Sequence, residues 1–287
     1  MMLPLVAILY FTDGLEAKAS EATALDMYKI LDREDAKLYP LSSKTFYFDI
    51  LKIPKGSICL LATHGGEGEN GALQSYLSSL GFKYTHSHQS VCAVLSDKHI
   101  TKLIYRALNI PTPDWVFNYT VFNFNNQSNN GDKYILYKPR FGGSKIGIKK
   151  MLKDEAINLV DGYNETIIEG RFEVGVSVLR DKKRILALEP ITRLRNQNHF
   201  GVLEETEEKL DNNVIEKCKK YALHFFQVLD CYGVTKTDFL IDESNSIWAI
   251  ETDAIPGLSM SNATSIAASR SGLSYKNLIS KVLTITY

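Results

Sequence analysis

The carboxylates at 238, 251 and 253 offer the most specific chemistry in this 287-residue chain. Asp238 sits in the run Lys236-Thr237-Asp238-Phe239-Leu240-Ile241-Asp242. After a polar turn at 243–246 comes Ile247-Trp248-Ala249-Ile250-Glu251-Thr252-Asp253-Ala254-Ile255-Pro256-Gly257. Two apolar runs around a short polar turn predict a β-hairpin. Pairing them brings Asp238 close to Glu251 and Asp253. The last two are two residues apart, so they share one face of their strand. Carboxylates crowded on one face repel one another. A hard divalent cation such as Mg2+ relieves that repulsion through oxygen ligands. Two readings fit: a metal–nucleotide site, or a solvated hairpin with polar outward positions.

Two glycine-rich stretches add anion-binding chemistry. Ile58-Cys59-Leu60-Leu61-Ala62 predicts a buried strand that runs into Thr63-His64-Gly65-Gly66-Glu67-Gly68-Glu69-Asn70-Gly71. A helix over 72–80 follows and closes at Gly81. Strand, glycine loop and helix in that order form an α/β signature, and ligands favour such loops. The alternative is a plain flexible connection. Tyr134-Ile135-Leu136-Tyr137-Lys138-Pro139 predicts a strand leading into Arg140-Phe141-Gly142-Gly143-Ser144-Lys145-Ile146-Gly147-Ile148. The second part reads as a loop between two strands. Its backbone N–H groups can close over phosphate oxygens, and Lys138 and Lys145 add charge. Glycine pairs also occur in plain hairpins. The stretch 193–198 reads as a basic loop, and His199 at its end reads, from the residues alone, as a solvated histidine.

These side chains need elements to hold them. Residues 6–11 predict a buried parallel strand ending in Thr12-Asp13-Gly14. A helix over 16–31 offers Ala19, Ala22, Leu25, Met27 and Ile30 to the core. Another helix opens at Ser96-Asp97-Lys98, capped by Ser96 or Asp97, and ends before Pro111 and Pro113. Residues 123–131 read as a polar surface loop. A strand over 172–179 pairs with 185–188, a helix spans 212–229, and helical segments at 261–271 and 275–284 close the chain.

Composition bounds the partners. Lys+Arg and Asp+Glu are both 33, giving zero net charge, so no basic excess suggests nucleic acid. Hydrophobic content of 45% is ordinary for a globular protein. Cys59, Cys92, Cys218 and Cys231 form no CxxC pair and read as reduced thiols of a cytoplasmic protein. The apolar N-terminus lacks a basic flank and reads as a first strand rather than a signal peptide. No run suggests a membrane span.

Taken in order, these motifs resemble the D-alanine–D-alanine ligases of the ATP-grasp superfamily, over nearly the whole chain. The residues that carry the resemblance begin with His64 to Gly71 followed by Gln74, then Ser96-Asp97-Lys98 with Thr101-Lys102 and Ile110-Pro111-Thr112-Pro113. Lys138-Pro139 with the 142–147 loop comes next. Asp238, Glu251-Thr252-Asp253 and Pro256-Gly257 follow, and Gly272-Leu273-Ser274-Tyr275 precedes the closing helix. The resemblance implies a mixed α/β ATP-grasp fold. It comprises an N-terminal parallel α/β domain (1–92), a central subdomain (93–178) and a C-terminal subdomain (179–287), with ATP sandwiched between the last two. It implies that one D-alanine carboxylate is activated as an acyl phosphate and attacked by the amine of a second D-alanine.

The same resemblance implies the roles. Asp238, Glu251 and Asp253 hold Mg2+, with two ions expected. Lys98 and Lys138 hold phosphates, Gly142, Gly143, Ser144 and Lys145 cover them, and Glu173 contacts the ribose. Glu16, with Ser20, receives the first substrate's ammonium group, Ser144 helps to orient it, and His64 belongs to the substrate loop. Lys236 and the backbone N–H of Gly257 stabilise the oxyanion, and Asn262 stands near the second substrate's carboxylate. A homodimer is implied as well.

This sequence departs from the family pattern in four places. Lysine replaces arginine at 236, aspartate replaces asparagine at 253, and asparagine replaces serine at 262. The loop around 193–203 lacks the family's tyrosine and offers Arg195, Asn198 and His199 instead. D-alanine–D-lactate ligases use a histidine in this loop, which makes His199 a candidate there. Two alternatives stay open: a ligase for other amino acids or D-hydroxy acids, and a nucleotide-binding homologue without catalysis.

Overall fold

In the computed structural model, residues 5–32, 34–122, 133–153, 161–181, 184–195, 204–205, 210–284 and 286 are described. The first apolar run forms β1 (Val6–Phe11), buried along nearly its whole length. Next come α1 (Ala17–Leu31), β2 (Ala36–Leu41), α2 (Phe46–Ile50), β3 (Ile58–Leu61), α3 (Ala72–Ser79) and β4 (Lys83–Tyr84). The strands make a parallel sheet of order β2-β1-β3-β4. Both faces are covered, which explains the absence of alternation in β1. Val6 and Ile8 meet Ala24, Met27, Leu278, Ile279 and Val282 on one side. Ala7, Leu9 and Phe11 join Phe46, Leu73 and Leu77 in the core on the other side.

The expected core face of α1 is corrected. Ala19 and Ala22 are exposed and Leu25 is 39% exposed, whereas Ser20, Thr23, Ala24 and Met27 are buried. Those positions still follow helical spacing (i, i+3, i+4, i+7), but two carry hydroxyls that bind the loop after β3. Counting apolar residues alone selects the wrong stripe.

After α4 (Gln89–Ser96), α5 (Lys98–Ala107) starts at Asp97, whose side chain accepts a hydrogen bond from the Ile100 N–H at 3.2 Å. A five-stranded antiparallel sheet follows, built from β5 (Trp115–Phe117), β6 (Thr120–Phe122), β7 (Tyr134–Pro139), β8 (Lys149–Leu152) and β9 (Gly162–Glu165), in the order β6-β5-β9-β7-β8. The remaining strands are β10 (Gly170–Asp181), β11 (Arg184–Ala187), β12 (Ile191–Leu194) and β13 (Glu204–Glu205). They lead through α6 (Asn212–Val228) to β14 (Val234–Asp242) and β15 (Ile247–Asp253). This sheet has the order β13-β12-β10-β14-β15, with β11 beside β10. β10 runs unbroken through 178/179, so the third sheet draws on both of the last two expected segments.

The chain ends with α7 (Ala263–Arg270) and α8 (Tyr275–Thr284), which return to the first sheet. The mixed α/β class is as expected, with one parallel and two antiparallel sheets. The four cysteines are free and buried, and burial pushes the Cys59 thiol up to about 12. Among the described residues no helix is long and apolar enough to cross a membrane.

Candidate active site

Strict alternation would put residues 247, 249, 251 and 253 of β15 on one face. Ile247 and Ala249 are buried against the core, yet Glu251 and Asp253 face the cleft. A register shift between Asp238 and Phe239 reconciles the two. Phe239 pairs with Ala249 and Asp238 with Glu251, leaving Ile250 as an extra residue. One bulged residue reverses the phase of everything after it. Lys236 then stands opposite Asp253, and all four charged side chains share one face. On the reverse face the Thr237 and Thr252 hydroxyls meet at 2.8 Å, and the Tyr105 hydroxyl of α5 reaches Thr252 at 2.6 Å. This buried chain of hydroxyls ties the hairpin to the helix that carries Lys98.

Lys236 Nζ lies 2.9 Å from Asp238 Oδ2 and 3.2 Å from Asp253 Oδ2. Two of the departures noted above are therefore partners across the hairpin. Burial alone would lower the Lys236 pKa, but Asp238 and Asp253 outweigh it and hold the ammonium well above its ordinary value. Burial pushes Asp238 up to about 6, with Asp253 and Glu173 adding to the rise against the pull of Lys236. Burial and Asp253 likewise raise Glu251. Lys98 Nζ is 3.8 Å from Glu251. Among the described residues no three His, Cys, Asp or Glu side chains form a ready-made metal cage. Mg2+ does not require one, since it binds through one or two carboxylates and completes its shell with phosphates and water. The three carboxylates, with Asp238 and Glu251 raised, fit one such ion.

The 142–147 loop joins β7 to β8 and turns through the left-handed region at Gly142 (φ 102), Ser144 (φ 53), Lys145 (φ 61) and Gly147 (φ 77). Lys98 anchors one end: its N–H donates to Arg140 O at 3.1 Å and its ammonium to Gly142 O. Arg140 in turn grips the Asp97 cap, with Nη2 2.6 Å from Oδ2. At the other end the Ser144 hydroxyl donates to Glu16 Oε1. Glu16, just before α1, also presses on the first glycine loop. A Cβ at Gly65 would lie 2.4 Å from Glu16 Oε2. The His64 N–H donates to Ser20 Oγ and its Nε2 meets Thr23 Oγ1, both at 3.0 Å.

Glu165, at the end of β9, received no notice from its sequence context. It is buried and hydrogen-bonded by Lys138 and, at 2.8 Å, by Lys102, which also donates to Thr112 Oγ1 at 2.7 Å. Burial alone would raise the Glu165 pKa, but the two lysines hold it below the usual range. Burial pushes Lys102 down to about 8. Asn262 packs on Gly257, where a Cβ would lie 2.3 Å from Asn262 Nδ2. Arg195 Nη1 donates to Ile168 O at 3.2 Å, beside Glu173. His199 and Asn198 lie outside the described residues. Ser20 is fully buried behind His64 and does not line the cleft; every other residue selected from the sequence as a site candidate lines one cavity of about 2580 Å³.

The family model for the D-ala D-ala ligase C-terminus matches residues 104–284, more than half of the chain. Among curated proteins, a D-alanine–D-alanine ligase of Marinomonas sp. (strain MWYL1) is 28% identical, covering 97% of this chain and 88% of its own. D-alanine–D-alanine ligase A of Bacillus cereus is 27% identical, with 93% of each chain covered. The solved D-alanine–D-alanine ligase of Bacillus anthracis complexed with ATP superposes with a TM-score of 0.79 at 24% identity, covering 98% of this chain and 97% of that one. A D-Ala:D-Ser ligase from Enterococcus faecalis gives the same TM-score at 19% identity, covering 98% and 99%. These two likenesses establish the fold. By its sequence, the chain belongs to the D-alanine–D-alanine ligase family of ATP-dependent carboxylate–amine ligases.

Proposed function

We propose that this protein joins two D-alanines, using ATP to activate the first. The observation that carries the reading is one shared cavity. Loop, lysines, carboxylates and Glu16 converge on it from all three sheets. The relative solved with ATP supports the nucleotide assignment.

ATP lies between the two antiparallel sheets, with Lys98 and Lys138 beside its phosphates and Glu173 at its ribose. Asp238, Glu251 and Asp253 supply oxygen ligands for Mg2+, which when bound neutralises charge developing on the transferred phosphate. Glu16 receives the ammonium group of the first D-alanine, and its contact with Ser144 brings the glycine loop over the same substrate. The closed loop keeps water from the acyl phosphate. The second amine then attacks that carbonyl, phosphate leaves, and the Gly257 N–H with Lys236 faces the oxyanion.

Glu165 pairs with the Lys138 ammonium. Its carboxylate neutralises an ammonium that would otherwise be buried unpaired. Phosphate oxygens add a second set of acceptors on the cleft side.

A second reading concerns the second substrate alone. Asn262 packs against Gly257 where the family carries serine, and the Enterococcus faecalis relative is a D-Ala:D-Ser ligase. A coupled ADP-release assay with D-alanine paired against D-serine, D-lactate and a panel of D- and L-amino acids tests both readings. D-alanine with itself is expected to give the highest kcat/KM. Turnover with no D-amino acid rejects the proposal, and a preference for D-serine or D-lactate as acceptor selects the second reading.

A further inference from the structure

The resemblance to the ligase family implies two divalent ions, but the cleft face of the hairpin already holds a cation. Lys236 Nζ sits between Asp238 and Asp253 at 2.9 and 3.2 Å, ordinary distances for charge-assisted hydrogen bonds. The side chain is 22% exposed, so it is held in place and not trailing in solvent. Gly175, opposite Asp238 on β10, leaves the space in which it lies. A Cβ there would come within 3.2 Å of Asp238 Oδ1 and 3.9 Å of Lys236 Cδ.

Lysine suits this position because its ammonium is a compact point charge with three donors. Paired catalytic metals stand about 3.5–4 Å apart and share bridging ligands. An ammonium within hydrogen-bond distance of two of the three carboxylates takes one of those places. Glu251 and the Oδ1 atoms of the two aspartates remain for a single ion. Lys98, 3.8 Å from Glu251, further limits the room on that side.

We propose that the Lys236 ammonium is a resident cation bridging Asp238 and Asp253, so that the site takes one divalent ion with the nucleotide instead of two. This rests on the Mg2+–ATP reading given above. With two of its three donors on the aspartates, Lys236 positions the metal site and keeps the third donor for the oxyanion, and the charge at 253 is tied to the charge at 236.

Mn2+ binding to the full chain, followed by electron paramagnetic resonance in the presence of a β,γ-imido ATP analogue, tests it without turnover. One nucleotide-dependent Mn2+ per chain is expected, with no spin coupling between ions. Lys236→Met is expected to bind two Mn2+ with the coupled signal of neighbouring ions. Should Lys236→Met fail to fold, the double variant Lys236→Met/Asp253→Asn removes the lysine with less unbalanced charge and is also expected to bind two. Two coupled Mn2+ on the unaltered chain, or one on the folded lysine variants, overturns the proposal while leaving the metal–nucleotide reading intact. Absence of any nucleotide-dependent Mn2+ on a folded, unaltered chain overturns both.

Discussion

Glu165 lies buried between Lys138 and Lys102, whereas Asp238, Glu251 and Asp253 share Lys236 and, at 3.8 Å, Lys98. In the first group cations outnumber the carboxylate, and the structure holds the Glu165 pKa down. In the second group carboxylates outnumber the close cations, and Asp238 and Glu251 are pushed up. Both groups reach one cavity, Lys102 alone lying buried behind its wall. The first has the hydrogen bonds of its buried charges in place and is suited to stabilising the central sheet while presenting Lys138. The second is left short of positive charge, a condition that a divalent ion corrects. Stability is thus concentrated in one cluster and ligand demand in the other.

The comparison breaks if the first cluster proves dispensable. Glu165→Ala leaves the fully buried Lys102 ammonium with a neutral hydroxyl partner at Thr112. Removing one member of a buried ion pair costs about 3–5 kcal/mol. Urea denaturation should register a loss of that size, and a loss under about 1 kcal/mol would mean that the pair does not stabilise the fold. Glu251→Gln should act the other way round. Losing this ligand should lower turnover on the order of 10²–10³-fold, equivalent to about 3–4 kcal/mol in the barrier. Stability should stay within about 1 kcal/mol of the original, because one crowded charge is removed. Near-normal ADP release in that variant would take Glu251 out of the metal site.

Much of this arrangement is legible in the sequence, for identifiable reasons. Glycine, proline and charged residues at fixed offsets marked both loops, the Asp97 cap and the hairpin, since turns and caps admit few residue types. Three features stayed hidden. The bulge at Ile250 lies in the unalternating run Ile247-Trp248-Ala249-Ile250, where no polar residue marks the change of phase. The buried face of α1 uses Ser20 and Thr23, which apolar periodicity passes over. Glu165 gains its importance from lysines 27 and 63 residues away, a pairing set by the register of β7 with β9 and by the packing of α5. Local pattern carries element type, and long-range register decides which charges meet.

The pH dependence of stability should separate the two clusters by sign. Asp238 has a folded pKa of about 6 against an ordinary 3.8. As pH rises, the unfolded chain ionises this group first. Stability from Asp238 is therefore full below about 3.8 and declines up to about pH 6, by about 3 kcal/mol. Glu165 runs oppositely. Its folded pKa is below the ordinary 4.5, so its contribution is present above that value and is lost as pH falls through the folded pKa. In urea titrations without nucleotide or metal, Asp238→Asn should flatten the decline between pH 4 and 6. Glu165→Gln should leave that decline and remove the acid limb. An unchanged profile in Asp238→Asn would show that the second cluster is not short of positive charge.

A smaller effect tests what holds the open cluster in shape. Thr252 lies behind the carboxylates, and its hydroxyl links Thr237 to the buried Tyr105 of α5. Thr252→Val keeps the volume and β-branching but breaks both hydrogen bonds, leaving the Tyr105 hydroxyl, buried deep against the core, without this partner. A buried donor or acceptor deprived of its partner costs about 1–3 kcal/mol, and the lower half of that range applies here because the valine packs well. A loss of about 1–2 kcal/mol in urea denaturation is expected, with the carboxylate face chemically unaltered. If the hairpin keeps its register through the bulge alone, KM for ATP will not change. If the hydroxyl chain fixes the distance between Glu251 and Lys98, KM for ATP will rise several-fold while the Mn2+ count per chain stays the same. The second outcome is expected, because the threonines fasten the hairpin to the helix at whose first turn Lys98 stands.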